Sequence, residues 1–173
     1  MIAIRPERPD DMAAVFAVHA AAFPTDAEAR LVDRVRAAGE ARLSLVAEAN
    51  GAVVGHVLFS PVSIETASGH RTGFGLAPVA VLPAHQRQGV GSALIREGLA
   101  ICRQQRCLFV VVLGHPAYYP RFGFRRASDV GLSNEYGADD AFMVIELETG
   151  ALPADGGLVK YGPELIRPFT QWP

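Results

Sequence analysis

This chain has little that would staple, anchor or strongly charge it. Its 173 residues hold two cysteines, Cys102 and Cys107. The four residues between them match no common zinc spacing, and there is no second pair to complete a tetrahedral site. Both read as free thiols, buried or half-buried. The five histidines and scattered acids form no metal-ligating pattern. No apolar run approaches the ~20 residues of a membrane span. The N-terminus, Met-Ile-Ala-Ile-Arg-Pro-Glu-Arg-Pro-Asp-Asp, is mixed and charged, unlike a secretory leader. A cytoplasmic protein with no membrane partner is expected. Neither sign of charge dominates. The formal net charge is −2, which does not point to nucleic acid. A Walker loop is missing. Gly89-Val-Gly91-Ser-Ala-Leu94 lacks the third glycine of a dinucleotide fingerprint.

What is present suits a packed globule: 50% of residues are hydrophobic and 20% charged. Residues 2–5 alternate as a short strand would. Pro9-Asp10-Asp11 supplies a turn and capping oxygens, and Val15, Phe16, His19 and Phe23 recur at helical spacing, predicting a helix over 11–23. A second helix is expected over 26–38, with Leu31, Val32 and Val35 inward and Gly39 as its stop. Asn50-Gly51 between two β-prone runs is a hairpin signal. Residues 64–71 extend the meander, turning at Ser68-Gly69, and 72–82 form the next strand. Pro78 cannot donate to a ladder, so it marks a bulge or unpaired position there. A helix over 91–105 is amphipathic, with Leu94, Ile95, Leu99, Ile101 and Cys102 mostly on one side. Residues 108–113 are apolar without alternation, as in a strand buried on both faces. A short helix over 116–121 and strands over 124–126 and 142–147 follow. The Pro- and Gly-rich stretch 149–173 reads as a C-terminal extension packed on the surface of a single domain, 1–148. The order of elements gives an α+β class: a mixed sheet with helices on both faces.

The most informative stretch runs from Val79 to Leu94. An apolar strand passes through a proline-containing turn into Gln86-x-x-Gly89-x-Gly91, and an amphipathic helix follows at once. Backbone N–H groups at a helix N-terminus sit at the positive end of the dipole and can hydrogen-bond an anionic diphosphate. Gly89 and Gly91 lack Cβ, which allows unusual dihedrals and close approach to ligand oxygens.

Gln86-x-x-Gly89-x-Gly91 resembles the acetyl-CoA pyrophosphate loop of the Gcn5-related N-acetyltransferases. The strand before it, the strand at 108–113 and Tyr119-Pro-Arg-Phe-Gly123-Phe124, similar to the family's Tyr-x-x-x-Gly-Phe signature, stand where the family has them. Residues 76–124 carry the resemblance, and their wording is similar to a branch of bacterial acetyltransferases with poorly defined acceptors. The resemblance implies an acetyl-CoA-dependent N-acetyltransferase whose sheet splays to admit the pantetheine arm. Val79, Ala80 and Val81 would offer backbone to pantetheine. The N–H groups across Arg87, Gln88, Gly89, Val90, Gly91 and Ser92 would take the diphosphate, and Gln86 would order the loop. His115 stands where many relatives carry a cofactor-contacting asparagine.

Acetyl transfer to an amine requires that the ammonium, pKa ~10, lose its proton. The leaving thiolate benefits from a proton donor. Tyr119 holds the position of the family's general-acid tyrosine, with Tyr118 as its competitor. The base is less legible, because Gly75-Leu-Ala-Pro-Val-Ala-Val81 contains no acid where some relatives place a glutamate. A water chain is one route. His56, titratable near neutral pH and set in an apolar strand, is the other candidate, and Glu135 a remoter one. Arg121, Arg125 and Arg126 would face a ribose phosphate, an acidic substrate or solvent. Neither cysteine lies in these motifs, so direct attack in a ternary complex is expected, without an acyl-enzyme. The acceptor is a small-molecule or peptide amine. A non-catalytic acyl-CoA-binding module on the same fold is the alternative. Small members of the family often form homodimers.

Overall fold

The computed structural model describes residues 1–166. In chain order its elements are β1 (Ile2–Pro6), α1 (Met12–Ala22), α2 (Ala27–Ala37), β2 (Leu43–Ala49), β3 (Ala52–Thr66), β4 (Gly69–Val81), α3 (Val90–Gln104), β5 (Phe109–Leu113), β6 (Arg125–Arg126), β7 (Leu132–Asn134), β8 (Phe142–Glu146), β9 (Gly157–Tyr161) and α4 (Pro163–Ile166). Strands hydrogen-bond in the order β1-β2-β3-β4-β5-β8-β6, with β9 pairing β3 and β7. Antiparallel and parallel ladders coexist, as the α+β reading requires. Two compact units are present among the described residues: 1–59 with 77–100, and 60–76 with 101–166.

In the first unit, the Asn-Gly turn takes positive φ at both positions, 50° at Asn50 and 79° at Gly51. That geometry matches the right-handed twist of the paired strands. α1 buries Val15, Val18 and His19, and α2 buries Ala29, Leu31, Val32 and Val35. Val90, Leu94, Ile95 and Leu99 of α3 are also buried, each exposed by 3% or less. Each such side chain stabilises the fold by roughly 1.5–3 kcal/mol. α3 lies tight on its neighbours. A Cβ at Gly98 would stand 2.5 Å from Cε2 of Phe59, and one at Gly55 3.1 Å from Cδ1 of Leu94.

In the second unit, β5 reads Phe-Val-Val-Val-Leu and pairs parallel with β4 over Phe74–Leu76 and antiparallel with β8 along its whole length. The β4–β5 ladder thus ends at Leu76. Pro78, which has no N–H to give, lies beyond it, and the Ala77–Pro78 bond is cis.

Two strands go beyond the sequence reading. β7 is only three residues long. β9 falls within the stretch read as a surface extension, yet it pairs antiparallel with β3 from Val62↔Tyr161 to Glu65↔Leu158, and parallel with β7. The glycines of that stretch signal a loop by composition, but Gly157 also permits close backbone approach. A Cβ at Gly157 would stand 2.5 Å from the Glu65 carbonyl oxygen. Residues 167–173 of the expected extension lie outside the described residues. The short helix expected at 116–121 is a 3-10 turn, Tyr119–Phe122. Among the described residues no helix is long and apolar enough to cross a membrane.

Candidate acyl-CoA site

A 3-10 turn, Pro83–His85, carries the chain out of β4 towards α3. Gln86 Nε2 then donates back to the Val81 carbonyl at 3.0 Å, and Gln88 Nε2 to the Ala84 carbonyl at 2.9 Å. Two amides therefore hold a loop whose side chains are otherwise exposed. Positive φ occurs at Arg87 (60°) and Gly89 (83°). Gly91 differs from the reading of the sequence, lying inside the first turn of α3 and needing no left-handed backbone. The helical ladder opens with Ala93 N–H donating to the Gly89 carbonyl at 2.9 Å. The N–H groups of Val90, Gly91 and Ser92 precede that bond, at the positive end of the helix dipole. A Cβ built on Gly89 meets nothing within 4 Å. Open space beside three N–H groups at a helix start suits an anionic diphosphate. Val79 and Val81 are half-buried and Ala80 is buried, and the Val81 carbonyl is the one that holds Gln86.

Tyr119 opens the 3-10 turn of the second unit and is 6% exposed. Its ring packs edge-on against Phe124 at 5.7 Å and Tyr118 at 5.2 Å. Gly114 makes room for it, since a Cβ there would stand 2.3 Å from Tyr119 Cε2. Burial, then the neighbouring Tyr118, pushes the phenol well above its ordinary value. It is protonated at neutral pH, as a phenol of ordinary pKa ~10 also is. His115 is exposed, its carbonyl accepting from Tyr118 N–H at 3.0 Å. Arg121 rests 4.4 Å over the Tyr118 ring, and Arg126 pairs with Asp129 and Asp140. Glu135 accepts from the Tyr161 backbone N–H at 3.2 Å.

His56 sits in a setting the sequence did not reveal. It is 0% exposed. Its Nδ1 lies 2.8 Å from His19 Nε2, and its Nε2 lies 2.8 Å from Ser44 Oγ. Ser44 in turn donates to Glu7, which is ion-paired with Arg36. Burial above all holds His56 below its ordinary pKa, and holds His19 down at about 3. Burial alone would raise the Glu7 carboxyl, but the nearby His56 ring, the Ser44 hydroxyl and the charge of Arg36 together outweigh it and hold it at about 2. With no solvent access and both ring nitrogens bonded, His56 is poorly placed to take a proton from a substrate directly. His19 was the missed partner. Its place among the apolar positions of α1 was the available signal.

The acyl-CoA N-acyltransferase class is what this combination of mixed sheet, interrupted β4–β5 ladder and helix-start loop defines. Comparison with known proteins narrows it. The family model for an acetyltransferase (GNAT) domain matches residues 3–127. A protein of Escherichia coli named as the uncharacterized N-acetyltransferase YhbS is 39% identical over 166 residues, covering 95% of this chain and 98% of that protein. A second, YjhQ, is 41% identical over 122 residues, covering 69% and 67%. Among solved structures, the E. coli YhbS complex with CoA superposes with a TM-score of 0.89 at 36% identity, over 96% of this chain and 92% of that one. A Brucella melitensis GNAT-family acetyltransferase in complex with acetyl-CoA gives 0.79 at 38% identity, over 95% and 98%. The chain belongs to the GNAT family of N-acetyltransferases.

Proposed function

We propose that this protein transfers the acetyl group of acetyl-CoA to a primary amine, small-molecule or peptidic, by direct attack in a ternary complex. The observation that carries this reading is the start of α3, with Gly89 at φ 83° beside open space and the N–H groups of Val90, Gly91 and Ser92 ahead of the first helical hydrogen bond. Two relatives of similar fold and more than 35% identity were solved with CoA or acetyl-CoA.

In this reading the backbone of Val79, Ala80 and Val81 aligns the pantetheine arm, and residues Arg87 to Ser92 bind the diphosphate. Gln86 fixes the loop through Val81. His115 contributes to the cofactor side. Tyr119 donates its proton to the departing thiolate, a role open to a phenol, which is neutral at pH 7. Its retention favours transfer over a non-catalytic acyl-CoA-binding role. Amine deprotonation is assigned to water, with His56 positioning α1 through His19. Neither cysteine takes part, and the reaction is placed in the cytoplasm. A homodimer, common among small members of the family, is the assembly to check by light scattering.

Calorimetry with acetyl-CoA tests the central step, comparing the parent with the double variant Gly89→Glu, Gly91→Glu. Micromolar binding by the parent and loss in a folded variant is the expected result, since two carboxylates would fill the cradle and repel the diphosphate. A folded parent that binds no acetyl-CoA would end the transferase reading.

A further inference from the structure

α3 ends in a motif that brings two sulfurs together. Arg106 takes φ 57°. Its N–H donates to the Arg103 carbonyl at 3.0 Å, and the Cys107 N–H reaches back to the Cys102 carbonyl at 2.9 Å. This pair of bonds is a Schellman closure, which sets the side chains flanking the last turn against each other. That contact is ordinarily apolar. Here the two positions it sets against each other are Cys102 and Cys107, both free and buried. A disulfide needs Cα atoms ~5.5–6 Å apart, and the bond from the Cys107 N–H to the Cys102 carbonyl keeps the two residues within one closed turn.

The two sulfurs are not equivalent. Cys102 is 0% exposed and Cys107 8%. As a thiol, Cys107 donates to the Phe109 carbonyl at 3.2 Å. As a thiolate it is stabilised by the Cys102 thiol first and by backbone at Phe109 and Phe74, which together outweigh burial and draw it down. The proton of the pair stays on Cys102, which its neighbour and burial push up.

We propose that Cys102 and Cys107 form an oxidation site for small hydroperoxides, with Cys107 the attacking and Cys102 the resolving thiol, closing reversibly to an intrachain disulfide. In the first step Cys107 Sγ attacks the peroxide. An S–O bond forms, the O–O bond breaks, and hydroxide leaves to be protonated to water (or alkoxide to alcohol). In the second step Cys102 Sγ attacks the sulfenic sulfur. The S–S bond forms, the S–O bond breaks, and the hydroxyl departs with the Cys102 proton as water. Two thiols are oxidised and one peroxide is reduced. The site is independent of acetyl transfer and closes the C-terminal turn of α3 with a covalent link.

The test exposes the folded protein to hydrogen peroxide, then denatures it in an alkylating agent and measures intact mass. The parent is expected to lose two hydrogens and both alkylatable thiols together, and dithiothreitol restores both. Cys102→Ser is expected to stop at the Cys107 sulfenic acid, trapped by dimedone. Cys107→Ser should react roughly tenfold more slowly than Cys102→Ser. A parent that keeps both thiols, or gains oxygen without losing two hydrogens, overturns the proposal. So does equal reactivity of the two variants. The parent result stands even if a variant misfolds.

Discussion

His19 Nε2 donates to His56 Nδ1 across 2.8 Å, a direction fixed by the neighbours of the pair. Glu7 stays ionised, so it only accepts, and the Ser44 hydroxyl donates to it. Ser44 Oγ must then accept from His56 Nε2–H, leaving His56 Nδ1 bare to accept from His19. The chain of donors ends at His19 Nδ1, a buried nitrogen with no partner among the described residues. A proton on His56 Nδ1 would break the bond from His19, whereas one on His19 would enter at the bare Nδ1, where burial opposes it.

Stability should therefore fall as pH falls. In the unfolded chain both histidines titrate near ~6.5. In the folded chain burial holds both lower, His19 at about 3. The folded state binds fewer protons than the unfolded state below pH ~6.5, so the stabilisation is complete above that value and is lost as pH drops towards the folded values. His19 alone should cost about 2 kcal/mol by pH 5. Urea unfolding at pH 7.5, 6 and 5 measures this. His19→Leu should flatten the slope, and a parent with constant stability over the range would refute the account.

Tyr119→Phe should lower kcat by roughly 10²-fold while leaving the KM for acetyl-CoA within about twofold. The ring is 6% exposed and packs on Phe124, so phenylalanine keeps the contacts and removes only the hydroxyl. Tyr118→Phe is the control and should retain most activity. If both variants behave alike, Tyr119 is not the acid.

Gly89 and Gly91 should separate in their backbone cost. Alanine at Gly89 must hold φ 83°, an energy of about 1 kcal/mol. Gly91 lies within α3, where alanine is neutral or favourable. Urea unfolding of Gly89→Ala and Gly91→Ala distinguishes them. Equal destabilisation by both would contradict the conformations described.

The sequence made the loop and its flanking strands legible because local patterns define them: Asn50-Gly51 for a turn, apolar spacing for α3, proline where a ladder stops. The left-handed Arg87 was not legible, since arginine carries no preference for that conformation. Nor was the His19–His56 bond, which joins residues 37 apart through packing of a helix on a strand. β9 was hidden for the opposite reason. Gly157 and the glycines beside it look like loop composition, while Gly157 lets the backbone meet that of Glu65. The strand 75–81 carries no acid, and the one local hint of the buried cluster around His56 was a histidine, His19, among the apolar positions of α1.

Gly98 and Phe59 test how tightly the helix carrying the loop is seated. A Cβ at Gly98 would lie 2.5 and 2.6 Å from Cε2 and Cζ of Phe59, a buried ring at 0% exposure. Two effects oppose each other in Gly98→Ala. Helix propensity gains about 1 kcal/mol, while overpacking costs about 1–3 kcal/mol. At 2.5 Å the overlap is with ring carbons, which cannot swing aside in a filled core, so the steric cost should win. Gly98→Ala is expected to destabilise, and to weaken acetyl-CoA binding if the start of α3 shifts with the helix. Phe59→Leu alone should also destabilise, by leaving a void. Combined, the two changes relieve each other, so the double variant should be more stable than the sum of the single losses predicts, with a coupling of about 1 kcal/mol or more. Additive losses in urea unfolding would mean that the helix is free to slide away from Phe59, and that the loop is not held by this contact.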